Sequence, residues 1–138
     1  MIHYSYKFRL YPTKQQEVLL NKHFGACRYV YNHFLERRID LWKNNKESST
    51  AYKDIKELTK LKQEKDWLYE TESQCLQQSL LNLESAYKKF FGKKAKFPKF
   101  KNKRSKQSFR TTHGIKLLNN KFYMFKFQEG IKFDNHRP

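Results

Sequence analysis

Hydrophobic positions change their period along this chain. Over residues 3–11, Tyr4, Tyr6, Phe8 and Leu10 alternate with Ser5, Lys7, Arg9 and Tyr11. A period of two predicts a half-buried strand with a basic outer face, and Pro12 stops it. Thr13-Lys14-Gln15-Gln16 then fits a capping box, with Thr13 as N-cap and Gln16 reaching back. The spacing predicts a helix to about Phe24, with Gly25 as its C-terminal cap. A second helix follows at once, with Cys27, Val30, Tyr31, Phe34, Leu41 and Trp42 on its apolar face. Asn44 to Thr50 is polar and reads as a loop. A third helix carries Tyr52, Ile55, Leu58 and Leu61 on one face, and Trp67 with Leu68 is expected to plug the bundle end. Thr71-Glu72-Ser73-Gln74 is a second capping-box candidate. It opens a long helix whose inner face reads Leu76, Leu80, Leu83, Tyr87 and Phe90, and Gly92 ends it. Four such helices can pack as a small bundle.

Beyond Gly92 the pattern changes again. Lys93 to Arg110 is dense in Lys and Arg, with Phe97, Pro98, Phe100 and Phe109 set among them. Short β-like runs follow at Ser108–Thr112, Ile115–Leu118, Lys121–Phe127 and Ile131–Phe133, with Asn119-Asn120 as a hairpin turn. The first strand can pair with the last ones only if the helices are an insertion within a sheet. The expected fold is α+β, a four-helix bundle inserted in an incomplete antiparallel β-barrel. Its parts are a first strand at residues 1–12, helices at 13–93, and a basic linker with strands at 94–138.

Charge narrows the function. With 30 Lys+Arg against 13 Asp+Glu, the net charge is +17. Solubility alone asks for a magnitude of roughly 2–8 in a small domain, so a polyanionic partner is indicated, and nucleic acid is the commonest. No apolar run approaches the ~20 residues of a membrane span, and Met1-Ile2-His3-Tyr4 opens no signal-peptide pattern. A cytoplasmic chain without a membrane partner is expected. Cys27 and Cys75 fall on apolar faces and read as buried thiols. His3, His23, His33, His113 and His136 lack ligand spacing, so no metal and no cofactor is expected.

Three stretches carry a resemblance. The first is Phe8-Arg9-Leu10-Tyr11-Pro12-Thr13 with Gly25-Ala26-Cys27-Arg28-Tyr29-Val30-Tyr31-Asn32. The second is Glu57-Leu58-Thr59-Lys60-Leu61-Lys62 with Trp67-Leu68. The third is Leu76-Gln77-Gln78-Ser79-Leu80, Ala86-Tyr87-Lys88-Lys89-Phe90-Phe91, Phe97-Pro98-Lys99-Phe100-Lys101 and Ser108-Phe109-Arg110. In this order the chain resembles the N-terminal part of the TnpB (OrfB) proteins of bacterial insertion sequences. The resemblance implies an RNA-guided DNA endonuclease akin to type V CRISPR effectors, known in older terms as a transposase with an N-terminal helix-turn-helix. It implies that the sheet is a wedge barrel and the helices a recognition lobe. The implied partners are a guide RNA derived from the element end, duplex DNA bearing a target-flanking motif, and a C-terminal nuclease half.

The family's RuvC-like nuclease triad and its paired Cys-x-x-Cys motifs have no counterpart here. Asp40, Asp54 and Asp66 lie in or beside expected helices among lysines and read as solvated charges. Two-metal cleavage needs converging carboxylates, so the expected chain binds and does not cut. The alternatives are a free-standing helix-turn-helix DNA binder, with its turn at Phe24-Gly25-Ala26, and a non-functional truncated transposase product.

Two residue sets are expected to bind. Lys7, Arg9, Lys99, Lys101, Lys103, Arg104 and Arg110 suit RNA and phosphate contacts, since dense lysine neutralises phosphates without reading sequence. Phe97, Phe100 and Phe109 either stack on unpaired bases or anchor the linker. Ser73, Gln74, Gln77 and Gln78 open the long helix, and Gln can pair bidentately with adenine. Exposed glutamines are ordinarily just solvated. The resemblance adds the DNA-reading role, with Tyr52, Thr112 and His113 completing the groove.

Overall fold

A computed structural model describes residues 8–104, 106–110, 116–118, 120–124 and 127–133. The chain divides into two units, Met1–Leu20 with Thr112–Pro138, and Asn21–Thr111.

The first unit is built on a four-stranded antiparallel sheet of order β1-β4-β3-β2. Its strands are β1 (Leu10–Tyr11), β2 (Lys116–Leu118), β3 (Lys121–Met124) and β4 (Phe127–Phe133). Leu10 faces Phe133 and Tyr11 faces Lys132 across β1 and β4. The helices are therefore an insertion between paired strands, as the hydrophobic pattern required. The sheet is open: β1 and β2 are its two edges and do not pair with each other, so the described residues form no barrel. The first strand is also shorter than expected among the described residues, and Leu10 is exposed. Phe8 still meets Phe133 edge-on at 5.2 Å. Asn120, at φ 62°, takes the left-handed turn between β2 and β3. In β4, Gly130 sits at φ +73°, where an added Cβ would lie 2.7 Å from the Tyr123 ring. Only glycine fits there.

The capping box forms at the start of α1. Thr13 N–H donates to Gln16 Oε1 at 2.9 Å, and Gln16 N–H donates to Thr13 Oγ1 at 3.2 Å. The same Gln16 side chain donates to the Gly130 carbonyl, tying the helix start to β4. From there α1 runs unbroken over Lys14–Asn45, entering the second unit on the way. The expected turn at Phe24-Gly25-Ala26 is not formed, and two expected helices are one. The reason is energetic. Interior glycine costs only about 1 kcal/mol relative to alanine, while Ala26, Cys27, Val30, Tyr31, Phe34 and Leu35 all bury their side chains along the continuous helix. A Cβ on Gly25 would meet nothing closer than Arg28 Nη2 at 3.7 Å. Gly25→Ala is therefore expected to stabilise the protein by about 0.5–1 kcal/mol in urea denaturation; a loss of stability would put a turn at this position.

Two further helices complete the second unit, α2 (Ala51–Glu64) and α3 (Ser73–Phe91), with a short 3₁₀ turn at Asp66–Glu70 between them. Three helices replace the expected four. Thr50 caps α2 by accepting from Lys53 N–H at 3.3 Å. Gly92 ends α3, as expected. The second capping box does not form, because Glu72 is the N-cap and makes no side-chain cap hydrogen bond. One core joins the helices, with Leu58 and Leu61 from α2, Leu68 from the turn, and Leu76, Leu80 and Leu83 from α3 against α1. Each fully buried side chain contributes roughly 1.5–3 kcal/mol. Leu68 plugs the bundle as expected, but its neighbour Trp67 stays partly exposed, and so does Tyr52.

Asp54 departs furthest from expectation. It is 0% exposed. Its Oδ2 accepts from Arg38 Nε at 2.8 Å, and its Oδ1 accepts from Ser49 Oγ at 2.7 Å and Arg37 Nη1 at 3.1 Å. The Arg38 guanidinium in turn lies 5.0 Å from the Tyr87 ring centre. Asp54 is thus a buried tie between α1, α2 and α3, and not a solvated helix charge.

Candidate nucleic-acid interface

The basic stretch after α3 is strapped onto the second unit by its backbone and its aromatic side chains. Asn32 on α1 donates Nδ2 to the Lys101 carbonyl and accepts the Lys101 N–H on Oδ1, each at 2.7 Å. Pro98 is buried. Phe109 packs against His23 at 5.3 Å and Phe24 at 5.2 Å. Phe97 meets Phe90 edge-on at 5.2 Å and Tyr87 at 5.4 Å, yet remains 41% exposed. So Phe109 is an anchor, Phe97 is a half-exposed one, and Phe100 is left 53% exposed.

The cations divide accordingly. Lys99, Lys103, Arg104 and Arg110 stand in solvent. Lys101 is only partly exposed, with its ammonium 4.4 Å from the Tyr31 ring centre. Arg104 N–H donates to Asn102 Oδ1 at 2.8 Å, closing a turn at residues 103–104. A fixed backbone with free ammonium heads is suited to phosphate, because little chain entropy remains to be lost on binding. In the first unit Arg9 is exposed and lies 5.8 Å from the Tyr11 ring centre, on the outer face as expected. Lys7 lies outside the described residues.

On the long helix, Ser73 is exposed and Gln74, Gln77 and Gln78 are partly so. Tyr52 is 68% exposed, with Lys56 Nζ 4.5 Å from its ring centre. Glu84 Oε1 accepts the Ala51 N–H at 2.9 Å, which sets the start of α2 level with Glu84. Along the α3 axis that level is roughly 10 Å from Gln77. Tyr52 and the glutamines therefore stand at different levels along α3. Thr112 and His113 lie outside the described residues.

A cleft of about 660 Å³ was not foreseen. One wall is a face of α1, with Lys22, Arg28, Tyr29, Asn32 and His33; Trp67 and Phe100 contribute from elsewhere. Tyr29 stacks with His33 at 5.9 Å and meets Trp67 edge-on at 5.1 Å. These α1 positions recur at helical spacing. All but Lys22 fall in the helix expected after Gly25, but a stripe of mixed polar and aromatic residues gives no hydrophobic signal.

Burial pushes the Cys27 thiol up to about 11 from an ordinary 9.0, a hydrogen bond with Ser79 and the charge of Lys101 pulling the other way. Burial also raises Tyr31 and Tyr87. A raised folded-state value favours folding below the unfolded value, and that gain vanishes as pH rises through the folded one. The urea midpoint should therefore fall between pH 9 and about 11, and Cys27→Ala should flatten part of that fall.

Residues 1–47 match a family model described as a helix-turn-helix domain, that of the OrfB proteins of IS605-type elements. Over that span the described residues form one short strand and one continuous helix. The chain is 40% identical over 119 residues to InsQ of Escherichia coli (strain K12), named as a candidate RNA-guided DNA endonuclease, covering 82% of this chain and 29% of InsQ. A protein of Streptomyces pristinaespiralis with the same kind of name is 33% identical over 75% of this chain and 26% of its own length. The virulence protein VsdF of Salmonella dublin is 36% identical over 111 residues, covering 72% of this chain and 93% of VsdF. No helix among the described residues is long and apolar enough to cross a membrane. The chain belongs to the TnpB (OrfB) family, and it spans about 29% of the length of InsQ.

Proposed function

We propose that this chain is a nucleic-acid-binding module that grips structured RNA and duplex DNA and does not itself cleave. The carrying observation is the strap: exposed Lys99, Lys103 and Arg104 on a backbone pinned by Asn32. Its RNA partner is a guide scaffold derived from the element end, and its DNA partner is a duplex bearing a flanking motif. A C-terminal nuclease half of the kind its relatives' names imply would act on the DNA so held. The test is fluorescence anisotropy of the purified chain with an RNA hairpin and a DNA duplex across a salt series. For about six phosphate contacts, the log–log slope on duplex should be near −5. A slope near zero would reject the reading, and RNA-programmed, Mg²⁺-dependent cutting by this chain alone would reject its second half.

Sequence reading is assigned to the start of α3 with Tyr52. Glutamine offers a donor and an acceptor in fixed relation, whereas an ammonium is a point charge. Once the wild-type chain shows a preferred flanking motif, Gln77→Ala should cost roughly 1–3 kcal/mol on it and much less on scrambled duplex. Equal losses on both would make Gln77 an ordinary helix surface residue.

A further inference from the structure

His23, Glu72 and Cys75 meet inside the second unit from α1, the α3 N-cap and the first turn of α3. They are 0%, 5% and 0% exposed. One ligand atom from each, an imidazole nitrogen, a carboxylate oxygen and a thiol sulfur, lies within 4.8 Å of the other two. Glu72 N–H donates to His23 Nε2 at 3.4 Å, and Cys75 Sγ donates to Glu72 Oε2 at 3.6 Å. Both contacts are long. On the same helix Leu76 and Leu80 are buried in the apolar core, and the buried Ser79 donates to the Cys75 carbonyl at 3.4 Å. Taking a carboxylate into such a core is costly unless something compensates its charge.

We propose that His23, Glu72 and Cys75 form a binding site for one divalent cation of the zinc class. Zinc accepts this donor set, at about 2.3 Å to sulfur and about 2.0–2.2 Å to nitrogen and oxygen. Neighbouring ligands around a tetrahedral ion then sit roughly 3.3–3.8 Å apart. The Sγ–Oε2 pair already has that spacing at 3.6 Å. No pair need close by more than about 1–1.5 Å, since all lie within 4.8 Å. On binding, the Cys75 S–H bond breaks, its proton leaves to solvent and the sulfur lone pair bonds the metal. Thiolate, carboxylate, neutral imidazole and a divalent ion sum to zero charge, which suits a buried site. Magnesium and calcium prefer all-oxygen shells, so a thiolate-imidazole site discriminates against them. The ion would staple α1 to the first turn of α3.

The test is metal uptake by the full chain after chelator treatment. One equivalent of zinc should survive desalting, and Co²⁺ should give a near-ultraviolet thiolate-to-cobalt band. At zinc 100-fold above its dissociation constant, the folded-to-unfolded ratio should rise about 100-fold. Cys75→Ala and His23→Gln should each lose the band, and Cys27→Ala should keep it. Mg²⁺ should bring no stabilisation. A chain that is helical by circular dichroism yet retains no zinc overturns the proposal, whatever the variants do. So does a band that survives Cys75→Ala.

Discussion

Asp54→Ala should destabilise the helical unit by about 3–5 kcal/mol, because it leaves two arginines facing a vacated carboxylate site. Arg38 is nearly as buried as Asp54 itself. Its charge has no route to water without opening the contact between α1, α2 and α3. Total stability of a domain this size is about 5–15 kcal/mol, so the variant sits near unfolding. Urea denaturation followed by circular dichroism measures the loss. A loss below about 1 kcal/mol is what an exposed pair would give, and would mean that the site is open to solvent. The paired replacement Arg38→Met with Asp54→Leu should recover much of the stability, since apolar side chains can replace a buried ion pair.

The second large effect is on salt dependence. Lys99→Gln, Lys103→Gln and Arg104→Gln together should reduce the duplex slope by about 3. Between 50 and 200 mM salt, a six-contact wild type loses roughly 10³-fold in affinity, and the triple variant should lose roughly 40-fold. Lys101 is left in place, because its ammonium covers the Tyr31 ring and its removal would disturb packing as well as charge. The weakening should be equal on RNA, on motif-bearing duplex and on scrambled duplex. An unchanged slope would move the phosphate contacts to other cations, with the α1 cleft around Arg28 the next place to look.

Local signals were legible in the sequence. The Thr13–Gln16 capping box, the Gly92 stop and the Asn120 turn each depend on a few consecutive residues, and all three form. The insertion of the helices between β1 and β4 was legible too, because topology left the first strand no other partner. What failed depended on distant packing. Gly25 carries a helix-stop signal, but the core outweighs it. Asp54 looks like surface charge until Arg37 and Arg38 arrive from another helix. Tyr52 shares the spacing of Leu58 and Leu61, yet Ala51 and Asp54 take the buried positions. In the His23–Glu72–Cys75 cluster, Glu72 and Cys75 are three residues apart on one helix turn, but His23 is brought to them only by the packing of α1. Of the candidate interface, the basic strap was readable from composition, and the α1 cleft was not.

The pairing of β1 with β4 also sets an order of events in folding. Strands β2, β3 and β4 follow one another closely, and the helices pack among themselves, so both can form from short-range contacts. The β1–β4 ladder joins opposite ends of the chain and carries the greatest loop-closure cost. Contacts of that span form late. During synthesis β1 emerges first and must wait, unpaired, while the whole helical unit is made and folded. Until it returns, β4 has an open edge. Slow steps in refolding should therefore report on Leu10 and Phe133, while the helical core is already closed.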